Sequence, residues 1–546
     1  VLMKRFSFLL ALPVLLILTL AVGKSSDDLF ELRKNFEIFG ALYEEIAVNY
    51  VDDVRAQPFM RAGIEAMLEQ LDPYTYYFDE ADMVDMQLQQ QRKLGSVGLN
   101  LGLKAGRITV LAPESNAAGY RQGVHIGDVI LQVGEISAEG LTVQEATDLL
   151  TGQPGTLVEV LVQRGTEPAT RLFVLPRSRS RSSNVSYSGY LGPDSTEGIA
   201  YVRLDMFGNR AGREVRRAFR NMHRDVPLRG MVLDLRGNPG GILAEAIDIV
   251  ELFVPKGSVV VTTQSRAADA MQEFRTEENA LFPDIPLVIL VDEFSASASE
   301  IVAGALQDYD RAVVLGQTSF GKGLVQIVRQ LPHNTALKLT VSHYFLPTGR
   351  TIQSAELNTA SARVSIPTVL DYTTPVGRTV RGGRGVEPDV DLQAIHHPLL
   401  TSLQQESAFF LFAGVWLNGT CASEAGCLQD EGTMYASFLD WLEGSNILMS
   451  TDAELWLSRF AEEAQSVGFE IDADLERLND VLQTQKVEQL AQLRPEIVSR
   501  IQSQIRLRVL DESEKIAAEV AQDEWIQEAD KLVRDQQSVR QILSID

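Results

Sequence analysis

The chain has 546 residues, which at roughly 150 residues per domain makes about three to four domains. Hydrophobic residues make up 45% and charged residues 23%, ordinary globular values that exclude a wholly disordered or collagen-like chain. The 49 basic and 74 acidic side chains leave a net charge of −25, without the basic footprint that nucleic-acid binding requires, and two cysteines and six histidines are too few for a disulfide scaffold or a cysteine-rich zinc module.

Lys4 and Arg5 precede an uncharged run from Phe6 to Val22, the pattern of an export signal. The small residues Ala21 and Gly23 suit cleavage after Gly23. At about 17 residues, the run also reaches the lower limit for spanning a hydrocarbon core of roughly 30 Å. Residues 1–23 are therefore read as a cleaved signal peptide or a retained anchor. In either case the rest is expected outside the cytoplasmic membrane, in the periplasm or cell envelope, and the membrane is met only through an uncleaved N-terminus. Cys421 and Cys427 would there either pair or remain free thiols.

Residues 24–92 read as helical. Leu32, Phe36, Phe39, Leu42, Tyr43 and Ile46 recur at helical spacing over 29–50, and 59–71 continues the pattern. Leu71-Asp72-Pro73 then breaks it ahead of an aromatic cluster, Tyr74, Tyr76, Tyr77 and Phe78. Over 93–176 the period shortens to strands at 98–103, 107–111, 129–133, 157–163 and 171–175, with one helix at 142–150. A linker over 177–185, rich in serine and arginine, reads as a solvated hinge. Up to 392 the chain alternates strand and helix: strands at 231–235, 287–291, 312–315 and 337–344, helices at 242–253 and 299–307. That is α/β order. Residues 393–546 read as an almost wholly helical extension.

Three segments of the α/β region carry unusual residues at the ends of strands. Arg236-Gly237-Asn238-Pro239-Gly240-Gly241 lies between a strand and a helix, where glycines permit a tight turn and expose N–H groups to negative charge. Ser295-Ala296-Ser297-Ala298-Ser299-Glu300 occupies a second strand-to-helix turn. There Ser297 with Glu300 fits a capping box. The same position suits a nucleophile on a sharp turn, with the Ala298 N–H facing a developing oxyanion. Gly316 to Gly323 nearly matches a phosphate-binding loop, but Gly323 replaces the hydroxyl residue that would bind Mg²⁺, and a strand rather than a helix is expected next. Within it Lys322, flanked by Phe320 and Leu324, is open to partial desolvation, which lowers a lysine from roughly 10.4 toward the range of a base. On a strand, Gln326 points to the same side as Lys322, so its amide could orient the ammonium group. His333 and His343 carry no triad-like motif. A serine nucleophile, a lysine base and two strand–helix N–H sites are the parts of a serine–lysine hydrolase.

These segments resemble the carboxyl-terminal processing proteases, the tail-specific serine–lysine peptidases of family S41. The resemblance rests on residues 230–243 (GMVLDLRGNPGGIL), 295–308 (SASASEIVAGALQD), 316–326 (GQTSFGKGLVQ), 344–353 (YFLPTGRTIQ) and 385–390 (GVEPDV), in order along the chain. It implies Ser297 as nucleophile, Lys322 as general base, Gln326 as its orienting partner, and oxyanion donors from Ala298 and from Gly240 or Gly241. It implies no metal or cofactor. The fold it implies is multidomain α/β plus α+β: a PDZ β-unit at 93–176, placed between the N-terminal helices and a crotonase/ClpP-like core at 177–392, then the extension. In the β-unit, Gly98, Leu99, Asn100 and Leu101 would form a carboxylate-binding loop holding a substrate's C-terminal tail, and Arg164 would couple that unit to the active site. Residues 393–546 would support a homo-oligomer or dock an adaptor. The expectation is an exported endopeptidase acting near protein C-termini. Its rivals are a silent PDZ adaptor on the same fold and a hydrophobic-ligand binder or CoA-type enzyme, for which no cofactor motif is present.

Overall fold

The computed structural model of the protein describes residues 26–80, 82–83, 95–114, 117–164, 170–178, 183–192, 194–266, 271–354, 370–392, 397–419, 428, 430–445, 447, 451–467, 469, 472–510 and 512–545. The expected signal or anchor at 1–23 and both cysteines lie outside the described residues. Among the described residues no helix is long and apolar enough to cross a membrane.

The chain divides into two compact units, one running up to Tyr77 and one made of most of the remainder. In the first, helices Ser26–Asn49 and Ala56–Leu68 stand where the apolar spacing puts them, and the rings of Tyr43 and Phe59 stack at 5.7 Å.

The second unit begins with a β-unit. Its strands are β1 (Leu99–Lys104), β2 (Arg107–Pro113), β3 (Val129–Val133), β4 (Ile136–Ser137), β5 (Leu157–Gln163) and β6 (Thr170–Pro176). They pair in the order β1-β2-β3-β5-β6, with β4 against β3. Helix Val143–Leu150 is started by a capping box between Thr142 and Glu145 and buries Ala146 and Leu150 in the core of this unit. The hinge reading of the arginine-rich linker is corrected at its first residue. Arg177 donates to Leu149 O (2.9 Å) and Leu150 O (3.2 Å), and Ser178 exchanges backbone bonds with Ser96. Carbonyls at a helix C-terminus attract a cation, so Arg177 closes the β-unit rather than floating beside it.

A six-stranded sheet follows, from β7 (Val185–Tyr190), β8 (Ile199–Leu204), β9 (Gly230–Asp234), then β10 (Val259–Ser265) and β11 (Met271–Arg275) of a second sheet, then β12 (Leu287–Val291) and β13 (Val313–Gly316) of the first. Next come β14 (Leu324–Leu331) and β15 (Thr335–Phe345), paired with each other, a hairpin of β16 (Leu370–Thr373) and β17 (Thr379–Gly382), and β18 (Val390–Asp391). The large sheet runs β18-β13-β12-β9-β8-β7, parallel except for β7. Its central strands are continuous apolar runs because both faces are covered. Helices Ala211–Asp225, Leu243–Val250 and Ala298–Asp308 cover one face, and the last of these is buried along its whole length.

The other face is closed from far along the chain. Ile526, Ala529 and Val533 of helix Glu524–Arg534, with Val539 and Leu543 beyond it, pack on Tyr201, Val232, Val288, Leu290, Val313 and Leu315. The helical extension is therefore two structures. Helices from Pro398–Gln405 to Arg494–Val509 build a separate core around Phe412, Phe438 and Ile501, while the final helices complete the α/β sheet. The β-unit touches the separate core: Lys104 Nζ donates to Ser407 Oγ (2.8 Å), and Arg508 stacks on Phe410 beside it at 4.3 Å.

Because Ile526 belongs to the core of the sheet, Ile526→Ala is expected to cost about 2–5 kcal/mol in denaturant unfolding. An unchanged midpoint and slope would show that the terminal helix merely rests on the surface.

Candidate functional site

Strands β9, β12 and β13 are neighbours, with Asp234 paired to Leu290 and Val291 to Gly316. Parallel strands end on the same side, so the three unusual segments leave the sheet side by side at its carboxyl edge, where α/β folds place their sites. Gly316 has φ +130°, and a Cβ there would meet Val291 O at 2.1 Å, so only glycine lets the third segment depart so close to the second.

The segments are then bonded to each other. Asn238, fully buried, accepts at its carbonyl from Ala296 N (3.0 Å) and Ser299 Oγ (2.9 Å), and its side chain donates to Leu204 O (2.7 Å). Gly237 N donates to Asp292 (2.9 Å). Gly240 approaches so closely that a Cβ would lie 2.9 Å from both Ser297 Cβ and Ala298 N.

Ser297 sits at the head of helix Ala298–Asp308 with φ 56° and ψ −110°, a strained conformation for a residue with a side chain. Strain of this kind costs about 1–3 kcal/mol and persists where the surroundings enforce it. The enforcing group is Glu300. Its carboxylate is fully buried and accepts from Ser297 N (2.7 Å) and Lys322 N (2.9 Å) at Oε2, and from Ser319 Oγ (2.6 Å) and Gly321 N (2.6 Å) at Oε1. The backbones of Ser297 and Lys322 thus meet at one oxygen atom. Burial pushes the Glu300 carboxyl up, and the four donors oppose that shift without cancelling it. Ser319 Oγ in turn accepts from Val386 N (2.7 Å), Gln353 Oε1 accepts from Gly323 N (3.0 Å), and Ser354 N donates to Gly321 O (2.9 Å). The 344–353 and 385–390 motifs therefore wrap the lysine loop.

The structure brings Ser297, Ala298, Gly240, Gly241 and Lys322 into one cluster and separates the two glycines. Gly240 N donates to Asn238 Oδ1 (2.9 Å), whereas the N–H groups of Gly241 and Ala298 have no acceptor among the described residues. For Gln326 the alternation argument is corrected. Lys322 lies in the loop before β14, which starts at Leu324, so strand alternation along β14 does not reach it. Among the described residues, Gln326 Nε2 is buried without a hydrogen-bond partner. In the β-unit, Gly98 has φ +69° and its N–H donates to Ser96 Oγ (2.9 Å), while Leu99, Asn100 and Leu101 open edge strand β1. Arg164 is held within that unit, donating to buried Asp128 (2.7 Å) and to Gly123 O (2.7 Å). It makes no bond to the α/β core among the described residues. Glu300 entered the sequence reading only as a capping partner; Asn238, Asp292 and Ser319 had no assigned part. The S-x-x-E spacing was the available signal for Glu300. Among the described residues no cluster of histidine, cysteine, aspartate and glutamate is grouped to hold a metal.

Residues 198–359 match the family described as Peptidase family S41, and residues 399–533 match the one described as Probable PDZ-protease, C-terminal helical domain. The chain is 34% identical over 325 residues to a carboxy-terminal-processing protease of Bartonella bacilliformis, covering 59% of this chain and 73% of that protein. The chain belongs to peptidase family S41. This S41 chain is also 33% identical over 321 residues to the chloroplastic carboxyl-terminal-processing peptidase 2 of Arabidopsis thaliana, covering 56% of this chain and 60% of the relative. A solved photosystem II D1 C-terminal processing protease aligns with 26% identity and a TM-score of 0.39, covering 65% of this S41 chain and 86% of its own. The family is one of carboxy-terminal-processing serine peptidases, a mixed α/β fold here followed by a helical region.

Glu300→Gln places an amide N–H against backbone donors whichever way the amide turns. It is expected to destabilise by about 1–3 kcal/mol. In this S41 peptidase it should also lower turnover at least tenfold, read by peptide hydrolysis alongside thermal melting. Full turnover with an intact fold would show that Glu300 does not set the site.

Proposed function

We propose that the protein is an exported serine endopeptidase that cleaves proteins near their C-termini with a Ser297–Lys322 dyad. The observation that carries this reading is the shared Glu300 oxygen, which joins the strained Ser297 backbone to the Lys322 backbone. The family membership supports the reaction class.

In the proposed reaction the neutral Lys322 amine takes the Ser297 Oγ proton as Oγ bonds to the scissile carbonyl carbon. The carbonyl oxygen gains negative charge and is stabilised by Ala298 N–H and Gly241 N–H, the two donors left without acceptors. Gly240 is the poorer candidate because Asn238 already occupies its N–H. Collapse breaks the C–N bond, and the Lys322 ammonium protonates the leaving amine. Water then attacks the acyl ester, giving its proton to Lys322, and the C–O bond breaks as that proton returns to Ser297. Gln326 is the proposed orienting partner of the lysine.

Tail recognition is assigned to the β-unit. Among the described residues β1 pairs only with β2, leaving its other edge open to an added strand, with helix Val143–Leu150 packed beside it. Leu99, Asn100 and Leu101 lie at the head of that edge; Gly98 contributes its left-handed turn rather than its N–H. A retained or cleaved segment at 1–23 would deliver the enzyme to the periplasm or cell envelope. Residues 393–509 are the proposed place for self-association or an adaptor.

Ser297→Ala and Lys322→Ala are each expected to lower cleavage of an unstructured protein with an apolar C-terminus by at least about 10³-fold. Cleavage by both variants at the wild-type rate would remove the dyad; tail binding without any cleavage by the unaltered protein would leave an adaptor. Amidating the substrate's C-terminal carboxyl should raise KM more than tenfold, and an unchanged KM would remove the tail-recognition part alone.

A further inference from the structure

The segment that opens the glycine turn is held by the far end of the chain. Asp234, almost wholly buried, takes the Arg236 backbone N–H (3.0 Å) and its Nη2 (2.6 Å), and also accepts from Tyr201 Oη (2.7 Å). The remaining guanidinium nitrogen, Nη1, donates to Asp523 (2.9 Å), 287 residues later. Trp525 lies over the same guanidinium at 5.5 Å. The Trp525 ring also reaches the lysine loop, for a Cβ on Gly316 would come within 3.1 Å of its Cζ3. One turn of chain, Asp523 to Trp525, therefore touches the start of both segments that carry the dyad's supporting groups. The two family segments, 198–359 and 399–533, meet at this contact.

We propose that Asp523 is a positioning residue for the oxyanion donors, acting through Arg236 to hold the 236–241 turn. This rests on the serine–lysine reading above. From Arg236 the bonding continues through Gly237 on Asp292 and Asn238 on Ala296 to Gly240 beside Ser297, so slack at Arg236 is passed to Gly241 N–H. Burial alone would pull the Arg236 guanidinium down, but Asp234 and Asp523 outweigh it and the net shift is upward, as expected of a cation fixed between two carboxylates. Oxyanion charge exists only in the transition state, so loosening these donors lowers kcat and leaves KM. The helical region thereby becomes a handle on turnover: anything that shifts the start of helix Glu524–Arg534 shifts the turn.

Asp523 also caps that helix, accepting from Trp525 N (2.9 Å) and Ile526 N (3.0 Å). Asp523→Ser separates the two duties, because serine is an equally good cap but is too short and uncharged to hold Arg236. With the full-length protein and a small activated ester as substrate, Asp523→Ser is expected to lower kcat about tenfold with KM within twofold. In an Arg236→Gln background the same change should add less than twofold. Hydrogen exchange should rise over 236–241 and stay unchanged over 298–308. Unaltered kcat and exchange in a folded Asp523→Ser protein would overturn the proposal, as would equal losses in both backgrounds. Turnover surviving Ser297→Ala would instead overturn the serine–lysine reading, and the exchange result would still decide whether Asp523 holds the turn.

Discussion

One buried carboxylate organises the site. Glu300 stands at the third position of a helix whose residues are all buried, and its two oxygens take four hydrogen bonds from two separate segments. An acceptor in that position must be matched by donors, since an unmatched buried charge is far more costly than a strained dihedral. The donors are three backbone N–H groups of the serine turn and the lysine loop together with the Ser319 hydroxyl. Satisfying Glu300 therefore fixes where both backbones run, and the unfavourable φ of Ser297 follows from it. The Ser297–Glu300 pair that reads as a cap in the sequence also holds the sharp strand-to-helix turn, through Ser297 N donating to Glu300.

The parallel sheet supplies the frame for that interaction. Because β9, β12 and β13 are adjacent and in register, their exits lie within a residue or two of one another. Short bonds between loops then suffice to lock them, and the later motifs at 344–353 and 385–390 fasten the lysine loop from its outer side. Tyr344, Leu346, Ile352 and Val386 of those motifs pack in the core beside Ala298 and Ile301. Asn238, Ser299, Ser319 and Gln353 add hydrogen bonds, which specify direction where apolar packing does not.

Much of this was legible in the chain. Runs such as Leu287–Val291 have no polar interruption because both faces are covered, and their bounds could be read directly. Helix Val143–Leu150 stands where the sequence placed a helix at 142–150. Glycines marked the turns, and at Gly240, Gly241 and Gly316 a Cβ would meet neighbouring backbone. What stayed hidden depends on partners distant in sequence. An amphipathic helix declares that it has a buried face, not that the face of Glu524–Arg534 meets a sheet begun more than three hundred residues earlier. Arg177 looked solvated among serines until the carbonyls of Leu149 and Leu150 were placed beside it. Alternation could not relate Gln326 to Lys322 because the strand begins only at Leu324, and a loop has no fixed period.

The closure of the sheet by its last helices also has a meaning in time. Arg236 and Asp523 are 287 residues apart, and Ile199 waits still longer for Val533. At roughly 5–20 residues per second, the ribosome delivers the second partner on the order of tens of seconds after the first. Throughout that interval one face of the α/β sheet is bare and the glycine turn lacks its outer tether. A half-made chain therefore exposes the apolar underside of its sheet, Tyr201, Val232, Val288 and Leu290 among it, to water and to neighbouring chains until synthesis is nearly done.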